Sequence, residues 1–111
     1  MRSTLLLTAA LALIAPVARA ADDEAMTPAE WGIDTTGITD PVLLGETIFQ
    51  GICANCHGED AISDAGGDIR DADDRRIRMA TRGIENMPAF RLTDDERAAI
   101  AAYLADLQAR D

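Results

Sequence analysis

Cys53-Ala54-Asn55-Cys56-His57 is the stretch on which the reading of this 111-residue chain turns. Two thiols stand two residues apart, and an imidazole follows directly after the second. That spacing lets both thiols add across the vinyl groups on one edge of a porphyrin, with the next side chain lying under the iron. A neutral imidazole nitrogen there is a proximal ligand. The five residues therefore read as a c-type haem attachment site, with Cys53 and Cys56 covalent and His57 on the metal.

Three other chemistries use similar residues. A dithiol redox motif belongs with a strand-helix-strand pattern, and no alternating β-branched run occurs here. A structural zinc site needs four closed ligands, usually Cys or His, against two cysteines and one histidine in the whole chain. A plain disulfide would leave His57 unexplained.

Upstream, Met1 to Ala20 reads as an export signal. Arg2 gives the positive start, Leu5 to Ile14 the apolar run, and Ala18-Arg19-Ala20 a small-x-small cleavage site. The run is short for a membrane span, so the expectation is cleavage after Ala20 and a periplasmic protein with no stable membrane insertion. Cysteine pairs and covalent haem also belong outside a reducing cytosol. Residues 21–111 make one domain, divided into an acidic N-terminal extension over 21–40 and a haem-binding unit over 41–111. A unit this small buries only about 60% of its unfolded surface and needs a staple. Aromatic residues are 4% of the chain, so a buried macrocycle would supply much of the core.

Charge narrows the partners. All 20 acidic residues follow Ala20; the ten arginines less Arg2 and Arg19 leave eight, a formal −12, and there is no lysine. Nucleic acid and anionic membranes both call for basic patches, so neither is expected. Partners with local positive surface fit better. Arg75, Arg76, Arg78, Arg82 and Arg91 cluster around the second half of the chain, where pairs such as Asp71 with Arg75 and Asp74 with Arg78 would mute them.

Three helices are expected. Asp40-Pro41 caps and opens the first, whose stripe is Leu44, Gly45, Ile48 and Phe49, with Gly51 loosening its end. A glycine at 45 costs about 1 kcal/mol in a helix interior and signals a close backbone neighbour. That neighbour is the last helix, opened by the capping box Thr93-Asp94-Asp95-Glu96 and striped by Ile100, Tyr103, Leu104 and Leu107. The middle helix is capped by Asp71 or Asp73, turns Ile77, Ala80 and Ile84 inward, and ends at Gly83. In the extension, Thr27-Pro28-Ala29-Glu30 marks a short capped turn. Trp31 and Ile33 after it would anchor on the domain surface or serve as a partner-binding arm.

Asn86-Met87-Pro88-Ala89-Phe90 is the second chemical stretch. A thioether can fill the sixth iron position and raises the potential, and Pro88 fixes an extended loop to present it. Met79 is the rival, although a methionine within a helix more often fills a core.

With these residues in place, the chain resembles the small class I cytochromes c over about Pro41 to Gln108. The resemblance implies an all-α, cytochrome c-like domain of three main helices around one covalently bound haem c, the first and last crossing. It implies thioethers at Cys53 and Cys56, His57 as proximal and Met87 as distal ligand. That family usually has a proline after the attachment site whose carbonyl accepts the proximal histidine proton. Here Gly66-Gly67-Asp68-Ile69 looks like that loop, with Gly67 in the proline's place.

The function implied is electron transport by a monohaem carrier between a redox donor, such as a dehydrogenase, and an acceptor. It is not an enzyme, since two protein ligands saturate the iron. The alternatives are a cytochrome subunit fixed in a larger dehydrogenase complex, and a haem enzyme or gas sensor with a displaceable Met87.

Overall fold

The fold follows from two helix starts that the sequence encodes strongly. In a computed structural model, which describes residues 25–84 and 86–111, Asp40 caps helix α1 (Pro41–Ile48) by accepting a hydrogen bond from the Val42 amide at 3.3 Å. Thr93 and Glu96 cap helix α4 (Asp94–Ala109) reciprocally. The Glu96 amide donates to Thr93 Oγ1 at 3.1 Å, and the Thr93 amide to Glu96 Oε1 at 2.8 Å. The expected export signal and its cleavage site lie outside the described residues.

The two helices cross at Gly45. A Cβ there would collide with the Ala99 carbonyl of α4 and lie 2.9 Å from Tyr103 Cβ, so only glycine allows this approach. Ile48 and Phe49 are wholly buried at 0% exposure, together with Ile100, Tyr103 and Leu104 from α4. The rings of Phe49 and Tyr103 pack with centroids 5.6 Å apart.

The first helix does not end near Gly51. It continues through a π turn (Phe49–Cys53), closed by the Ala54 amide bonding the Phe49 carbonyl, into α2 (Ala54–His57). Gly58 then ends the rod with φ +83°. One unbroken helical rod thus carries both the crossing and the attachment motif.

The chain is mostly helical, with a small addition to the expected all-α plan. Strands β1 (Ile62–Ser63) and β2 (Gly67–Asp68) form an antiparallel hairpin pairing Ile62 with Asp68 and Ser63 with Gly67. Helix α3 (Asp74–Ala80) follows, capped by Asp73, whose Oδ1 accepts from the Arg76 amide at 2.9 Å.

Three expectations for this helix need correction. It stops at Ala80 rather than Gly83, so Ile84 falls beyond the helical period and is exposed. Met79 is 50% exposed and fills no core. It sits two residues from the buried Ile77, about 200° around the helix, so burying one turns the other outward. Asp71 pairs with Arg76 at 3.1 Å instead of Arg75, whereas Asp74 does pair with Arg78, also at 3.1 Å. No helix among the described residues is long and apolar enough to cross a membrane.

Candidate functional site

Helix α1 and the π turn, α3, α4 and the chain before α4 border one open-mouthed cavity. Its walls are largely aliphatic and aromatic: Ile48, Phe49, Ile52, Ile77, Phe90 and Leu104 supply much of them. Cys53, His57 and Met87 line this same cavity. Cys56 is on the exposed side of α2, and the two cysteines are not bonded to each other. Met79 is not among the lining residues.

The π turn governs this placement. It adds a residue to one turn of the rod, and the face that buries Ile48 and Phe49 above it goes on to Ile52 and Cys53. The loop after the rod is then tied back. Gln50 Nε2 donates to both Tyr103 Oη, at 3.0 Å, and the Glu59 carbonyl, at 2.8 Å. Ser63 Oγ donates to the Cys56 carbonyl at 3.0 Å and accepts from the Gly66 amide at 2.9 Å.

That second bridge sets Gly66 against the His57 ring. A Cβ at position 66 would collide with His57 Nδ1 and lie 2.9 Å from Cε1. Gly67, by contrast, has φ +71° and open space around it. The glycine that matters to the histidine is therefore Gly66, one residue earlier than the sequence suggested. His57 Nδ1 is buried without a hydrogen-bond partner among the described residues, so the expected carbonyl acceptor is not in place there.

The alternatives to haem fare poorly in this setting. Burial pushes the Cys53 thiol up to about 12, whereas dithiol redox motifs work by a lowered thiol pKa. No group of three or more His, Cys, Asp or Glu side chains that could hold a metal ion occurs among the described residues. An apolar cavity with a thiol, an imidazole and a thioether on its walls does fit haem.

Arg76 lies on the solvated face as expected, its side chain 61% exposed and paired with Asp71, while part of it also borders the cavity. The signal for that border was present: Ala72 and Ala80 stand four residues on either side of it, and all three border the cavity. Thr81 was missed. It is buried, its hydroxyl donates to the Ile77 carbonyl at 2.8 Å, and its carbonyl accepts from the Phe90 amide at 2.9 Å. No hydrophobic periodicity marks a residue that works through its backbone.

No curated protein and no solved structure matches the chain. A family model does, over residues 40–104, and its description is cytochrome C oxidase, cbb3-type, subunit III. The match begins at the cap of α1 and ends within α4, so it takes in the rod, the attachment motif and the Met87 loop. A cytochrome c domain of this kind implies covalently bound haem c and electron transfer with redox protein partners. With Cys53, His57 and Met87 on one cavity and the helices crossing behind it, the chain belongs to this family of c-type cytochromes.

Proposed function

We propose that the protein is an exported electron carrier with one haem c, joined through thioethers to Cys53 and Cys56 and ligated by His57 and Met87. The observation that carries this reading is that Cys53, His57 and Met87 border one apolar cavity in a chain of a c-type cytochrome family. Haem, when bound, supplies one-electron chemistry at iron. The chain does the rest. His57 brings an imidazole from the end of a rigid rod, and Met87 brings a neutral thioether that raises the potential. Ile48, Phe49, Ile52 and Leu104 would keep water from the bound group. His57 and Met87 would together hold the iron and leave no place on it for oxygen or peroxide, which favours electron transfer over catalysis. The segment Met1 to Ala20 supports delivery to a periplasm.

The test is expression in a host that attaches haem in its periplasm. The product should begin at Ala21, weigh one haem more than the chain 21–111, and keep its colour through acid-acetone extraction. Pigment passing into the solvent would refute covalent attachment.

The family description favours a second reading, in which the chain is a fixed subunit of an oxidase. Gel filtration of a native extract separates the two. A carrier elutes at its own size from the soluble fraction, and a subunit co-elutes with its oxidase.

A further inference from the structure

The segment before α1 touches both halves of the site. Met26 pairs with Phe90 in a parallel bridge, its carbonyl accepting from the Arg91 amide at 2.9 Å. The Trp31 ring lies against Phe90, centroids 5.5 Å apart and planes at 54°. Two residues on, Ile33 packs on the bare backbone of Gly51 inside the π turn, where a Cβ would lie 2.7 Å from Ile33 Cγ1. The segment thus runs from the Met87 loop to the turn that carries Cys53.

It is also ordered in its own right. The Glu30 amide donates to Thr27 Oγ1 at 3.3 Å, Thr27 Oγ1 donates to Glu30 Oε1 at 3.0 Å, and the Trp31 amide donates to the Thr27 carbonyl at 3.1 Å. Pro28 is buried. Met26 and Trp31 border a second cavity together with Arg82, Met87 and Pro88. Met87 also lines the main cavity, so it stands between the two.

We infer that residues 26–33 form a strap that fixes the Met87 loop from outside, with Trp31 as its positioning residue, and so sets how firmly the thioether stays in place. The inference rests on the proposed role of Met87. Among the described residues the loop has no helix of its own. Its internal ties include the Arg82–Ala89 bridge, the Met87 amide to the Ile84 carbonyl at 2.9 Å, and the Phe90 amide to the Thr81 carbonyl. A thioether carries no charge to hold it, so an excursion of the loop competes directly with ligation. Every contact that favours the inward conformation lowers the population that exposes the sixth position. The strap supplies such contacts at Phe90 and Arg91.

The test uses holoprotein and reads carbon monoxide binding to the ferrous form, together with the far-red absorption of the ferric thioether complex. Trp31→Ala should speed carbon monoxide binding about three- to tenfold, the worth of one aromatic pair, and lower the pH at which the far-red band is lost. Trp31→Phe should restore both toward wild type. Leu107→Ala, at a partly buried position packed against the core and lining neither cavity, should lower the melting temperature without changing either readout. An unchanged rate in Trp31→Ala would overturn the strap, and so would equal acceleration in Leu107→Ala. Met87→Ala separates the underlying reading. If it abolishes the far-red band while Trp31→Ala changes nothing, the strap alone fails; if the band survives Met87→Ala, the ligand assignment fails and the strap with it.

Discussion

The cavity wall bearing Cys53 and His57 is one helical rod locked against α4, whereas the wall bearing Met87 is irregular chain between α3 and α4. The rod side is over-determined. It has the Gly45 crossing, the Phe49 and Tyr103 rings, and the Gln50 and Ser63 bridges. The loop side depends on a few backbone hydrogen bonds and on contacts from a segment far away in sequence. The difference suits their tasks in the proposed reading, because a twice-bonded edge tolerates no play and a ligand supplied by a loop can be adjusted without disturbing the core.

The strongest way to break the rod side is Gly45→Val. The added side chain has nowhere to go between α1 and the Ala99 carbonyl, and overpacking of this kind costs about 3 kcal/mol. Denaturant melts should show a large loss of midpoint. A loss smaller than about 1 kcal/mol would mean that the crossing relaxes freely, and that the rod is no stiffer than the loop.

Gly66→Ala should come next. A methyl group there meets His57 Nδ1, so the imidazole must tilt or the hairpin must retreat, at about 1–2 kcal/mol. The expected signature is a changed Soret band and potential alongside the stability loss, whereas Gly67→Ala should act only through its positive φ. Identical spectra for the two variants would contradict the placement of Gly66 at the ring.

A smaller, pH-dependent effect is expected at Asp68, on the hairpin that carries Gly66. Side-chain hydrogen bonds from Arg70 hold its carboxyl at about 2, below the usual 3.8. Arg70 also pairs with Asp111 near the end of α4, and its side chain is only 13% exposed. Because the folded pKa is depressed, the stabilisation is complete above pH 3.8 and is lost as pH falls through about 2. Asp68→Asn should therefore flatten stability against pH between about 4 and 2. An unchanged slope would mean that this brace contributes nothing.

Met79→Ala sets the lower end of the scale. The residue is half exposed, so the cost should be within about 0.5 kcal/mol, and the far-red band should persist. A loss of several kcal/mol would restore it to the core and recast the loop side.

The ends of the outer helices were legible because caps are local chemistry: Asp40-Pro41 and Thr93 to Glu96 announce themselves within four residues. Gly45 was legible because a glycine inside an apolar stripe has few other reasons to be there. The attachment motif was legible because its spacing is set by a porphyrin rather than by the fold. The π turn was not, since Phe49 to Cys53 reads equally well as α-helix. Gly66 was obscured by Gly67, whose positive φ is a local need, whereas the need at 66 comes from a ring nine residues upstream. Met79 was misjudged by residue type. It faces out, because the phase of a two-turn helix is fixed by Ile77 and its neighbours. The strap's reach from Phe90 to Gly51 is a long-range pairing that no window of sequence displays.

The π turn gives this rod an unusual relation to insertions and deletions. Each residue of regular α-helix advances the chain by about 100° around the axis, and the wide turn at Phe49–Cys53 takes up one residue more than that winding allows. Removing a single residue from that turn would let the rod close into uninterrupted α-helix with Cys53, Cys56 and His57 near their present face, whereas removing one from the regular turns of α1 would rotate all three together by about a quarter of a turn. The same helix would form and the same cap would start it, yet the imidazole would leave the cavity face. Reading frame along the sequence and angular frame around the axis are thereby uncoupled at the turn Phe49–Cys53.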